Sequence, residues 1–434
     1  MTYMHILISD AGKHLDAKVT MRGWIYNKRS SGSIAFLELR DGSGFIQAVV
    51  SKKAVDEATW DAADQLTQES AVTITGAVSA HPKQDGVYEL QVSNIHIVHI
   101  AAEYPIANKE HGPEFLMDNR HLWLRSKRQW AVQRIRDEVI RAIYSFYHER
   151  GYVKVDTPIL TPNACEGATE LFDIEYFDEG TMHLSQSGQL YLEAAIMSVG
   201  RGFDFGPVFR AEKSKTRKHL TEFWMMDAEA AFVEHDESLD IQEALIKYIA
   251  KSCLDHCKAE FTILERDTSK LEAMLDLPFE RLTYTDAIEK LKTLGSDIAF
   301  GEDLGADDEE MLTKDSAVPV FIHKWPKAIK PFYMKQDPEN AELVLNNDLI
   351  GIENAGEIIG GSQREDDYDK LQAEIIKEGL EGDEYAWYLD LRKYGSVPHS
   401  GYGLGLERVV RWMSGVQHIR ETIPFPRMIN RIRP

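Results

Sequence analysis

Apolar and polar residues alternate through much of residues 18–100, and a period of two is the mark of a half-buried strand. The segments KVTMRGWIYNKR, SIAFLELRD, GFIQAVVS, AVTITGAVSA and GVYELQVSNIHIVH each read as a strand. DGSG makes the turn between the second and third, and KKAVDEATWDAADQLTQES, after the third, reads as a helix. Beyond residue 127 the pattern changes. RQWAVQRIRDEVIRAIYSFYHERG repeats its apolar positions every three to four residues, predicting a long amphipathic helix that stops at Gly151. YVKVDTPIL predicts a strand ended by Pro158, and EIIGG predicts a buried strand.

Five strands with a helix after the third is the order of an OB-fold, a barrel that binds oligonucleotides. Residues 1–100 are therefore expected to form such a domain, 101–127 a linker and 128–434 a second domain. That second domain shows neither regular βαβ units nor a GxGxxG fingerprint. Its irregular alternation predicts an α+β fold with a mainly antiparallel sheet flanked by helices. The stretch 233–315 reads as helical and acidic, and carries no assignable chemistry.

The formal charge of −22 over 434 residues excludes a protein that coats nucleic acid non-specifically, since phosphates are met by Lys and Arg. The acidity is uneven, however. Residues 1–110 hold 10 basic and 13 acidic side chains, which leaves room for a local basic face. In the barrel, Trp24, Lys28, Arg29, Phe36 and Gln47 supply the mix of stacking and charge that suits single-stranded nucleic acid. No apolar run approaches the 18 or more residues of a membrane span, and three cysteines make no disulfide framework. CLDHC (253–257) reads as helix packing, not a zinc site, because a second ligand pair is missing. The N-terminus lacks the pattern of a targeting segment, so a cytoplasmic protein without membrane attachment is expected.

Three constellations carry chemistry. In 207-PVFRAEKSKTRKHLTEFWMMDAEAAF-232 two strand-like halves flank a loop dense in Lys, Arg and His. Arg210 and Glu212 would share one strand face by period two, and Phe223 follows the loop where it could stack on a base. Clustered guanidinium groups suit phosphate. In 401-GYGLGLERVVRWM-413 three glycines would let backbone approach a ligand, with Arg408 entering the next helix. In 345-LNNDLIGIENAGEIIGGSQRE-365, Asp348 and Glu357 lie a short hairpin apart, which suits a Mg²⁺ ion bridging polyphosphate oxygens. The alternative for this pair is ordinary strand-edge acids neutralised by Lys or Arg.

Together these segments resemble the class II aminoacyl-tRNA synthetases, in particular the aspartyl/asparaginyl subgroup, over essentially the whole chain. The helix and strand up to Pro158 (about 132–158) look like motif 1, FRAE with HLTEF (about 207–232) like motif 2, and GLGLER (about 401–413) like motif 3. GGSQRE narrows the resemblance to the asparagine-charging branch. The resemblance implies ATP-dependent attachment of L-asparagine to tRNA(Asn) through an adenylate, with Mg²⁺ and a homodimer formed through motif 1. It implies Arg210 and Arg408 as catalytic residues. It places Arg210, Glu212, Arg217, His219, Phe223, Glu357 and Arg408 on ATP, with Asp348 and Glu357 on the metal. Glu166, Ser187 and Gln189 would bind the amino acid, and Phe36, Gln47 and Arg29 the anticodon.

Aspartate and asparagine have one shape, so the choice between them is electrostatic. Aspartyl enzymes of the subgroup carry a lysine where QSGQLYLE has Leu192, which leaves Arg364 as the obvious positive partner of the substrate side chain. An amide also needs an acceptor for its NH₂, and an acid in that role repels aspartate. Asp227 is the first candidate. Glu365 is second, because ideal alternation turns it away from Arg364. Asparagine is the expected substrate; the alternative is an aspartyl enzyme, one that may charge both tRNAs included.

Overall fold

The computed structural model describes residues 3–107, 109–165, 171–213, 219–380 and 383–434. The chain divides into two compact units, Met1–Leu116 and Met117–Pro434.

In the first unit, strands β1 (Lys18–Ser31), β2 (Ile34–Arg40), β3 (Phe45–Ser51), β4 (Ala71–Ala80) and β5 (Tyr88–His99) close into a barrel of order β1-β2-β3-β5-β4. Period-two patterning decides which side chains fill it. Ala35, Leu37 and Leu39 of β2 and Ile46, Ala48 and Val50 of β3 point inward and are fully or almost fully buried. The helix after β3 is shorter than expected, α1 (Glu57–Gln65), capped by Asp56, which accepts the Thr59 N–H at 2.8 Å. Lys28 donates from Nζ to the carbonyls of Asp64 (2.6 Å) and Ala63 (3.3 Å) in the last turn of α1, so its ammonium serves the helix end.

In the second unit the short helix Arg120–Trp123 is followed by α2 (Lys127–Glu149), whose Ser126 cap accepts the Gln129 N–H. Val132, Ile135, Val139, Ala142, Ile143 and Phe146 form its buried stripe. Gly151 follows with φ 74°, a left-handed value that ends the helix. The expected strand YVKVDTPIL is broken. Only β6 (Val153–Lys154) pairs with the main sheet, while Leu160–Thr161 joins a separate three-stranded sheet. Pro158 has no N–H to continue a ladder, and Thr157 donates its hydroxyl to Asp204 instead.

Among the described residues the main sheet has eight strands. Besides β6 these are β7 (Arg201–Phe209), β8 (Glu222–Ala231), β9 (Glu280–Thr283), β10 (Val320–His323), β11 (Asn346–Gly351), β12 (Gly356–Gln363) and β13 (His399–Gly405). Their spatial order is β9-β10-β11-β12-β13-β8-β7-β6, parallel only in the two edge pairs. Alternation along β8 separates two jobs. Met226, Ala228 and Ala230 join the core under α2 and the helix His235–His256, whereas Met225 and Asp227 face a cavity. Each large apolar side chain fully buried in that core, such as Leu404 or Phe203, contributes about 1.5–3 kcal/mol. Among the described residues no helix is long and apolar enough to cross a membrane.

Candidate functional site

Strands β8, β12 and β13 floor a cavity of about 550 Å³. One end gathers cations and an aromatic ring. Arg210, Glu212, His219 and Phe223 line it, with Arg408 from the helix Leu406–Ser414 opposite. β7 ends at Phe209, so Arg210 and Glu212 reach the cavity from beyond the strand, not by the period-two face expected of them. The Arg210 guanidinium carbon lies 5.5 Å from the Phe223 ring centre. Arg408 donates from Nη1 to the Glu357 carbonyl oxygen at 2.6 Å, with Oε2 of the same residue 3.4 Å away. Burial and then the Arg408 charge hold His219 below the usual imidazole range. Arg217 lies outside the described residues.

Asp348 and Glu357 stand side by side in this cavity. Asp348 pairs with Gly360 across the β11–β12 ladder. A Cβ on Gly360 would sit 3.0 Å from Glu357 Oε1 and 3.8 Å from Asp348 Oδ1, so the bare glycine lets the carboxylates converge. Burial, aided by the Glu357 charge and opposed by Lys330, pushes Asp348 up to about 7. Burial acts on Glu357 too, but Arg408, Lys330 and Arg210 together hold it below the usual range. This donor set fits Mg²⁺, which takes one or two protein carboxylates and completes its shell with phosphate oxygens and water. Among the described residues no group of three or more His, Cys, Asp or Glu is placed to hold a metal unaided.

The other end of the cavity is lined by Ser187, Gln189, Asp227, Tyr333 and Arg364. Asp227 accepts the Gly188 N–H at 2.9 Å, and burial pushes its carboxyl up to about 7. Arg364 donates from Nε to Glu229 at 3.1 Å and from Nη1 to the Ser362 hydroxyl at 2.7 Å. Glu365 does not face the cavity. Its backbone N–H bonds Tyr333 on the adjacent segment, and its carboxylate accepts the Asp367 N–H at 3.2 Å. Glu365 is buried away from the cavity, so of the two expected acceptors Asp227 is the one that lines it. Leu192 is fully buried and does not line the cavity, and Glu166 lies outside the described residues.

A buried charge layer behind Arg364 went unnoticed in the sequence. Glu193 accepts from Tyr388 Oη at 2.8 Å, Arg392 Nη2 at 2.7 Å, His399 at 3.1 Å and Gln189 Nε2 at 3.1 Å. Burial opposes its ionisation, yet Arg392 and His399 hold it well below the usual carboxylate range. Glu229, by contrast, is pushed up to about 7 by burial against the pull of Arg364. Period two along β8 from Asp227 points to Glu229, and that signal was available. Of the glycines in 401–405, Gly403 and Gly405 line the cavity, and two of the set also sit against acids. A Cβ at Gly401 would overlap the Glu229 carboxylate, and one at Gly403 would sit 2.8 Å from Asp227 Oδ1. They make room for the protein's own acids. Ser400 donates its hydroxyl to the Val233 carbonyl at 2.8 Å.

In the barrel, Arg29 pairs with Phe36 across β1–β2, its guanidinium carbon 5.8 Å from the ring centre. Arg29 Nη2 donates to Gln47 Oε1 at 3.2 Å, and Gln47 Nε2 donates to Glu89 at 2.7 Å. The three expected residues thus share one face. Trp24 lies apart from that cluster, 4.8 Å from the Arg40 guanidinium carbon.

The comparisons agree with this architecture. Residues 112–429 match the family described as tRNA synthetases class II (D, K and N), and 19–98 match the OB-fold nucleic acid binding domain. The chain is similar to asparaginyl-tRNA synthetase from Pyrococcus horikoshii complexed with asparaginyl-adenylate, at 41% identity and TM-score 0.94, covering 99% of both chains. It is similar to Entamoeba histolytica asparaginyl-tRNA synthetase at 33% identity and TM-score 0.90, covering 100% of both. Aspartyl-tRNA synthetase from Entamoeba histolytica follows at 28% and 0.83, covering 100% of this chain and 93% of that one. With motif-bearing strands around one cavity and an OB barrel ahead of them, the chain belongs to the class II tRNA synthetases of the D, K and N group.

Proposed function

We propose that this chain attaches asparagine to tRNA(Asn), using ATP to form an asparaginyl-adenylate. The observation that carries the choice of amino acid is the state of Arg364. Its guanidinium is already held by Glu229 and the Ser362 hydroxyl, and Asp227 lines the same end of the cavity. A substrate carboxylate would find no unbalanced positive charge there and would face Asp227. An amide would place its carbonyl on the guanidinium and its NH₂ toward Asp227. The wrong ligand leaves buried polar groups unpaired, a strong basis for discrimination.

The substrate's own carboxylate attacks the α-phosphorus of ATP, a P–O bond forms, and pyrophosphate leaves; the tRNA hydroxyl then displaces AMP. Neither step needs a protein nucleophile, so the residues act by position and charge. Arg210 grips the α-phosphate and the attacking carboxylate, and Phe223 and Glu212 hold the adenine. His219 and Arg408 serve the outer phosphates. Ser187, Gln189 and Glu166 hold the substrate ammonium. Asp348 and Glu357 would hold Mg²⁺, which when bound neutralises phosphoryl oxygens. Phe36, Gln47 and Arg29 read the anticodon from the barrel. The reading includes a homodimer through α2 and a cytoplasmic site of action. The test is charging of unfractionated tRNA with labelled amino acids. Asparagine alone should become acid-precipitable, and incorporation of aspartate instead would overturn the assignment.

A further inference from the structure

Lys330 was not singled out by any motif, yet it occupies the cavity beside the carboxylate pair. Its Nζ donates to Asp348 Oδ2 at 2.9 Å and lies 3.8 Å from the ring centre of Trp325, which is almost fully buried. The side chain is itself only 13% exposed. The ammonium therefore has two seats, one on a carboxylate and one on an indole face, and the second remains if the first is taken. Lys330 and Arg408 pair with Asp348 and Glu357, with Arg210 and Asp303 lining the same cavity. A divalent ion arriving with ATP brings two positive charges and four negative ones, so the balance shifts toward phosphate.

We propose that Lys330 is the resident counter-cation of the metal site, yielding Asp348 to the incoming divalent ion and turning its ammonium to the polyphosphate. This rests on the reading of Asp348 and Glu357 as the metal-binding carboxylates. In the nucleotide-free protein Lys330 competes with the metal for Asp348 Oδ2. In the loaded site it stands on the Trp325 face as a cation beside the phosphates. The same residue thus weakens metal binding without nucleotide and strengthens nucleotide binding with metal. A purely structural lysine would do neither in that combination.

The test is Mn²⁺ binding by the nucleotide-free protein, read from the free-ion paramagnetic resonance signal, alongside ATP and asparagine KM values in pyrophosphate exchange. Lys330→Met should bind Mn²⁺ about tenfold more tightly than the parent, since a unit positive charge near the ion is gone. Its KM for ATP should rise about tenfold, while KM for asparagine stays within twofold. Lys330→Arg should resemble the parent. Lys330→Gln, which keeps a donor for Asp348 but no charge, carries the same expectation if the Met variant fails to fold. Asp348→Asn separates the two layers. Equal Mn²⁺ binding by Asp348→Asn and the parent removes the metal reading and the proposal with it. Loss of binding in Asp348→Asn, together with no tightening in Lys330→Met or Lys330→Gln, overturns the proposal alone.

Discussion

Replacing Glu229 by Gln tests the electrostatic account of amino-acid choice at its narrowest point. The substitution keeps size and one acceptor oxygen for Arg364 but removes the charge that balances the guanidinium. Glu229 meets Arg364 Nε at 3.1 Å on one side. A substrate carboxylate bonded at a like distance on the other side would stand about 6 Å from it, where two unit charges at an effective dielectric of about 20 interact by about 3 kcal/mol. Removing that repulsion should shift the ratio of kcat/KM for aspartate over asparagine upward by roughly a hundredfold, since about 1.4 kcal/mol is tenfold. The assay is pyrophosphate exchange with each amino acid at pH 8, above the value of about 7 to which burial pushes Glu229. At pH 6 the parent's Glu229 is itself largely neutral, so the gap between variant and parent should narrow there. A ratio unchanged at pH 8, in a variant whose unfolding transition shows it to be folded, would refute the charge-balance argument.

Arg408→Ala should abolish asparagine-dependent exchange without altering the unfolding midpoint by more than a few degrees, because among the described residues Arg408 bonds the carbonyl and carboxylate of Glu357 at the cavity wall; near-normal exchange would remove it from the phosphates. Phe36→Ala should weaken tRNA binding by about 1–3 kcal/mol in a filter-binding titration and leave tRNA-free exchange untouched, as expected for one lost stacked base. Arg120 is fully buried and donates to Gln129 Oε1 at 2.7 Å and to the carbonyls of Ile423 at 2.9 Å and Pro424 at 2.8 Å. Arg120→Ala leaves these acceptors unpaired at about 1–3 kcal/mol each, so denaturant titration should show a loss of several kcal/mol. Burial raises Asp227 from its ordinary value to about 7 in the native state, so the native state holds a proton that the unfolded state gives up between about pH 4 and 7. The stabilisation by the protonated form is therefore lost as pH rises through that window. Asp227→Asn, which cannot ionise, should gain in melting temperature over the parent from pH 4 to 7 and level off above.

Where local patterning decides structure, the sequence was sufficient. The five barrel strands, α2 and the strand Gly356–Gln363 follow from periodicity because one face of each must be buried whatever its neighbours are. YVKVDTPIL failed because its pairing partner, Gly202–Phe203, reaches only two of its residues, and pairing partners are not written in a local pattern. The site divides the same way. Residues inside recognisable motifs converge on the cavity, whereas Glu193, Glu229, Arg392 and His399 come from four separate elements and meet only in the fold. Their signal was a count of buried charges that cannot be made before burial is known. Glu365 shows the converse: adjacent in sequence to Arg364, its carboxylate accepts the Asp367 N–H and does not line the cavity.

The central claim is that the cavity activates asparagine and refuses aspartate. Amino-acid-dependent pyrophosphate exchange, run on the unaltered protein with saturating ATP and Mg²⁺ and with asparagine and aspartate in parallel, tests it without tRNA. The account predicts rapid exchange with asparagine and, with aspartate, exchange at least a hundredfold lower in kcat/KM, on the order of the charge interaction worked out above. Comparable exchange with both amino acids, or exchange with aspartate alone, would contradict it.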